Sequence, residues 1–200
     1  MGRLLIGSEW YDLVSSASVY EADFEAIIKQ HAGILFPEFH LIPYKRTVYA
    51  GIEGAAADFA LVERNYRGWW VVEAELASHS LKQHVEPQVA VLARAKYRAA
   101  DALYLLENMP DLDKRALVTL TTTVQPRVFV LVNETCPTWP DTLKKWDALV
   151  GVVEQYRSFK NNFSLRVGGD FPAVEARSST TCRVSRLLKN PLHGLPDPLN

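Results

Sequence analysis

DFALVERNYRGWWVVEAEL, residues 58–76, holds two apolar runs around a polar, glycine-containing turn, and its acids gather at the end away from that turn. The runs read as antiparallel strands joined by RNYRG, residues 64–68. Side chains alternate along a strand, so Glu73 and Glu75 share a face with Trp69 and Val71, while Trp70, Val72, Ala74 and Leu76 take the other. A turn symmetric about Asn65 and Tyr66 sets Asp58 against Glu73. A turn centred one residue later sets it against Glu75, and a three- or five-residue turn puts it on the opposite face. In the first two registers three carboxylates meet on one face. Like charges directly opposite each other cost some tenths of a kcal/mol up to about 1. A divalent cation offsets that repulsion by drawing the carboxylates onto itself. The solvated side of an amphipathic meander is the other reading of the same acids.

Outward from this hairpin the periodicities give an order of elements. VYEADFEAIIKQHAG, residues 19–33, places Phe24, Ile27 and Ile28 at helical spacing and ends on glycine. HLIPYKRTVYAG, residues 40–51, reads as a strand with Pro43 at an edge or bend. Beyond the ASHS loop, Pro87 suits the first turn of one long helix carrying Val89, Leu92, Ala99, Leu103 and Leu106. PRVFVLVNE, residues 126–134, is a strand buried on both faces, with Phe129 and Leu131 opposite Val130 and Val132. TWPDTLKKW, residues 138–146, restarts a short helix. The expected fold class is α/β: helix, three-strand meander, helix and strand, with helices flanking a mixed twisted sheet. Residues 1–176 form the expected domain. The hydroxyl- and proline-rich residues 177–200 read as an extension lying on the surface or on a partner.

Composition narrows the classes. Two hundred residues, 48% apolar, suffice for one packed domain. A net charge of -1 excludes a uniformly basic nucleic-acid binder and leaves room for a local basic groove. Cys136 and Cys182, with no CxxC, indicate neither a disulfide scaffold nor a zinc site, which fits a reducing, cytoplasmic setting. No apolar run approaches the length of about 18 residues that a membrane span needs.

With an aspartate opening its second strand and acid-x-Glu on its third, AADFALVERNYRGWWVVEAEL resembles the PD-(D/E)XK, or restriction-endonuclease-like, nucleases. The likeness covers roughly residues 20–132, and within that superfamily it is most similar to Shedu-type defence nucleases and mismatch-cutting relatives. It implies a restriction-endonuclease-like core and Mg²⁺-dependent phosphodiester hydrolysis, with Mn²⁺ as a substitute and DNA as the nucleic-acid substrate. Asp58 matches the metal-binding aspartate and Glu73 the second acid, while Glu75 stands where the pattern usually has lysine. Lys82 becomes the candidate migrated lysine, and His79 or His84 a proton-transfer group. In the first helix Glu21 falls on the buried side and Glu25 further toward solvent, so Glu21 joins the implied metal set of Asp58, Glu73 and Glu75. Gln88 matches a glutamine found in many relatives and, with Lys82 and Arg94, is the implied phosphate contact. Lys45, Arg46 and Arg98 extend that track. Plainer roles exist for several of these: Glu21 as a carboxylate at a helix N-terminus, Gln88 as an exposed helix residue, His79 as a loop residue. Two other functions fit the chain, a non-catalytic nuclease-fold module binding nucleic acid or protein, and an adaptor docking through its proline-rich tail. A homodimer or larger complex is compatible with the C-terminal extension, and the apolar face of DALVGVVEQY, residues 147–156, either pairs or is core.

Overall fold

The structure is a computed structural model that describes residues 2–174, so the proposed extension at 177–200 lies outside the described residues. The chain opens with a hairpin, β1 (Arg3–Ile6) and β2 (Glu9–Leu13), turned at Gly7 with φ +62°. Helices α1 (Glu21–Gln30) and α2 (Ala32–Leu35) lead into β3 (Phe39–Pro43). A separate two-stranded hairpin, β4 (Thr47–Ala50) and β5 (Glu53–Ala56), precedes β6 (Phe59–Glu63) and β7 (Trp69–Glu75). A π-helical turn at Leu81–Val85 starts α3 (Glu86–Arg94), followed by α4 (Ala99–Asn108), α5 (Lys114–Thr123) and β8 (Arg127–Val132). Helix α6 (Trp139–Leu143), β9 (Leu149–Ser158) and β10 (Phe163–Gly169) complete it.

Eight strands form one mixed sheet in the order β1-β2-β9-β8-β7-β6-β3, with β10 also paired to β9. The β7–β8 and β8–β9 pairs are parallel and the remaining pairs antiparallel. Parallel neighbours need crossovers, and these carry α3–α5 and α6. Helices cover both faces. Phe24 and Ile28 of α1 pack on Trp70, Val72, Phe129 and Leu131. Val89, Leu92, Leu105, Leu117 and Leu143 pack on Trp69, Val71, Val130 and Val132. The alternation read in β7 and β8 is therefore the division between two cores. Phe129, fully buried and edge-on to Phe36 and Phe171, joins three elements. Phe129→Ala should cost about 3–5 kcal/mol in urea unfolding, the range for an aromatic cavity; a loss under about 1 would mean that the core collapses around the gap.

The expected strand at 40–51 stops at Pro43, and its second half pairs instead with β5. The expected long helix also breaks. Ala95 is extended (ψ 151°), and the carbonyls at the end of α3 find donors elsewhere: Gln125 Nε2 reaches Ala93 O and Ala95 O (3.2 and 3.0 Å), and Tyr97 Oη donates to Leu92 O (2.9 Å). Helix α4 restarts where Asp101 accepts from the Arg98 N–H (2.6 Å), with its phase shifted so that Leu105 is buried and Leu103 is 45% exposed. Residues 149–156 of DALVGVVEQY belong to β9, inside the sheet, so this segment is core and not a pairing face.

Candidate active site

The β6–β7 turn is the symmetric one. Val62 pairs with Trp69 and Phe59 with Val72, and the Glu63 N–H donates to Gly68 O (3.0 Å) across Arg64–Arg67, with Tyr66 left-handed at φ +56°. Asp58, just before β6, therefore meets β7 at Glu73. Its N–H donates to Val72 O (3.0 Å) and its Oδ2 accepts from the Ala74 N–H (2.8 Å), so it straddles Glu73. Helix α1 brings two more acids to this corner, and carboxylate oxygens of Glu21, Glu25 and Asp58 lie within 4.8 Å of one another.

Lys45, in the segment between β3 and β4, is the positive charge of the site. Its Nζ donates to Glu25 Oε1 (2.5 Å) and Asp58 Oδ1 (2.9 Å), while its side chain remains 51% exposed. Burial disfavours the ammonium, but the two carboxylates outweigh it and hold the Lys45 pKa above its ordinary value. Asp58 moves up as well, because its burial exceeds the help from the Ala74 N–H and Lys45.

Glu73 is the extreme case. It is 3% exposed, and its Oε1 has no hydrogen-bond partner among the described residues. Burial first, then the charges of Asp58, Glu75 and Glu21, push its pKa well up. The chain satisfies a buried acid elsewhere: Glu154 accepts from Thr135, Tyr156 and Arg166, which together outweigh its burial and lower its pKa. Glu73 lacks such donors. Glu75, also 3% exposed, is raised by burial against the opposing pull of His79, whose Nδ1 lies 2.6 Å from its Oε2. His84 Nε2 lies 3.6 Å from the other oxygen, Oε1.

The donor set fits a hard divalent cation. Among the described residues the ligand atoms within 4.8 Å of one another fall into two groups, Glu21 with Glu25 and Asp58, and Glu75 with His79 and His84; Glu73 belongs to neither, and its buried Oε1 without a donor is what an oxygen-ligated ion would complete.

Several expectations change. Glu25, expected nearer solvent, is 7% exposed and bound to Lys45, an ionic partner twenty residues away that the apolar phase of the helix does not reveal. Glu21 does sit beside it. Lys82, on the π-helical turn, makes no ion pair with the acids; the lysine paired with Glu25 and Asp58 is Lys45. Gln88 is half-buried on α3 with its Oε1 unpartnered. Arg94 is held by Ala90 O (2.8 Å) and Glu53 (2.9 Å) and lies over Trp146, away from the carboxylate cluster's own contacts.

A cavity of about 480 Å³ nearby is lined by Arg46, Tyr49, Arg94, Lys96, Arg98 and Asp101, among others. Arg46 follows Lys45 in the chain, but neither Lys45 nor the acids of the corner line this cavity. Asp101 holds its wall, accepting from Tyr44 Oη (2.8 Å) and Arg46 Nε (3.0 Å). The Lys96 and Arg98 side chains have no carboxylate ion-pair partner among the described residues. Among those residues no helix is long and apolar enough to cross a membrane.

Comparison of the chain with protein-family profiles, with curated proteins and with solved structures gives no match.

Proposed function

We propose that the protein is a divalent-cation-dependent nuclease of the PD-(D/E)XK type, hydrolysing phosphodiester bonds in DNA with Mg²⁺ or Mn²⁺. One observation carries this reading: acids from adjacent strands converge on a buried, partnerless Glu73 oxygen beside a lysine. The order α1, β3, β6, β7, helices, β8 is compatible with a restriction-endonuclease-like core. Asp58 and Glu73 would hold the cation, with Glu75 as third acid and Glu21 at the rim. A bound cation would lower the pKa of water and polarise the phosphoryl oxygens. Lys45, half in solvent, faces the charge that grows on the phosphate and supplies what Glu75 cannot. Glu75, kept in place by His79, orients the attacking water. Arg46, Lys96 and Arg98 would receive neighbouring phosphates.

The test is plasmid nicking by the full chain with Mg²⁺ or Mn²⁺, with EDTA, and with Asp58→Asn. Cation-dependent cleavage that is lost in both controls supports the nuclease. Cleavage that survives Asp58→Asn overturns it, and inactivity with either ion favours a non-catalytic module. For the cation track, the Lys96→Glu/Arg98→Glu protein should bind duplex DNA about tenfold more weakly at low salt. The slope of log K against log salt should become shallower by about 1.8, from two lost phosphate contacts. Unchanged affinity in fluorescence anisotropy would remove those two residues from the path.

A further inference from the structure

We propose that Glu75, His79 and His84 form a second cation site, one that takes a transition-metal ion such as Mn²⁺, Co²⁺ or Zn²⁺ in preference to Mg²⁺. The three side chains each present a ligand atom, and these lie within 4.8 Å of one another. His79 Nδ1 stands 2.6 Å from Glu75 Oε2, and His84 Nε2 stands 3.6 Å from Glu75 Oε1. Two donors on one ion at about 2.1 Å are themselves about 3.0–3.4 Å apart at octahedral or tetrahedral angles. One pair must open, and the other close, by less than about 1 Å.

The backbone builds this corner. Glu75 ends β7, the His79 N–H donates to Leu76 O (2.9 Å), and the π-helical turn carries His84 back over the strand end, its N–H on Ser80 O (2.9 Å). π-Turns of this kind re-aim side chains at functional sites. The imidazoles meet edge to face with centroids 5.0 Å apart, and their side chains are 28% and 49% exposed, which leaves an entry path. Glu73, two residues back on the same strand face, is a partnerless buried carboxylate that feels the charge of Glu75. The preference follows from the donors: imidazole nitrogen suits first-row transition ions, whereas Mg²⁺ keeps to oxygen and water. Ligation through Nδ1 takes the neutral His79 tautomer that carries its proton on Nε2. The site stands on this geometry whatever the substrate is.

Calorimetric titration of the full chain with Zn²⁺ and with Mg²⁺ tests it, alongside the visible spectrum on adding Co²⁺. Zn²⁺ should bind at least about 10²-fold more tightly than Mg²⁺. His79→Ala and His84→Ala should each weaken Zn²⁺ binding by about 10- to 100-fold and shift the Co²⁺ spectrum. Far-UV circular dichroism checks folding, and the glutamine variants replace any alanine variant that fails it. Equal Zn²⁺ affinity in the wild type and both histidine variants overturns the site. Mg²⁺-dependent DNA cleavage without histidine-dependent Zn²⁺ uptake overturns this site and leaves the nuclease. Histidine-dependent uptake without cleavage under any ion leaves the site and overturns the nuclease.

Discussion

Glu73→Gln should make the cation-free protein more stable and, in the same substitution, abolish its cleavage of DNA. Burial and three neighbouring acids raise the Glu73 pKa well above its ordinary 4.5. A carboxyl group raised on folding binds its proton more tightly in the folded chain. Its favourable contribution is complete below about 4.5 and is lost as pH rises toward the folded value. The wild type should therefore weaken through that window, with Asp58 and Glu75 acting in the same sense. Glutamine keeps the shape without the titration. The two proteins should melt alike at low pH and diverge as pH rises, by about 2–4 °C for each kcal/mol in a chain of this size. Cleavage should fall by about 10² to 10⁴, the scale for groups acting at the reacting centre. A melting difference that shrinks with rising pH would contradict the reading of Glu73 as an uncompensated buried acid.

Lys45→Met is the second large effect, with the opposite sign for stability. The substitution leaves Glu25 and Asp58, both 7% exposed, without their counter-charge. Breaking a buried ion pair costs about 3–5 kcal/mol. Lys45 is 51% exposed, so solvent screening reduces the expected loss to about 1–2 kcal/mol. Mg²⁺ or Mn²⁺ should recover part of it, because a cation held by Asp58 would replace the charge that Asp58 loses. In the proposed nuclease, cleavage should stay depressed by about 10²-fold even at saturating cation, since the ammonium would face the phosphate. Thermal melts with and without cation separate the two effects; a variant that melts like the wild type would deny Lys45 its neutralising role.

The hairpin was the most legible part of the chain. Its strands are long enough for alternation to be unambiguous, and only an even turn lets Asp58 and Glu73 share a face, as the pairing of Phe59 with Val72 has it. The same parity argument separated Phe129 and Leu131 from Val130 and Val132. Reading failed where a distant residue decides. The break after Arg94 depends on Gln125 and Tyr97 taking over the α3 carbonyls, and apolar spacing through Leu103 and Leu106 carries no trace of that. Helix α5 has the threonine-rich end LTTT, whose β-branched residues weaken any helical signal; their hydroxyls are absorbed by carbonyls one turn back, as Thr123 bonds Thr119 O (2.7 Å). Lys45 was visible only as one cation among several, because nothing local in PYKRT says that it turns toward Asp58. Glu25 was misplaced for the same reason.

As proposed, the buried acids at the open end of the hairpin form a cation site. A crystal structure of the full chain soaked in Mn²⁺, with anomalous scattering recorded, tests it most directly. An anomalous peak is expected within about 2.5 Å of carboxylate oxygens of both Asp58 and Glu73, with Lys45 drawn off Asp58. Well-ordered Asp58 and Glu73 with no anomalous peak between them, and Lys45 still bridging Glu25 and Asp58, would contradict it.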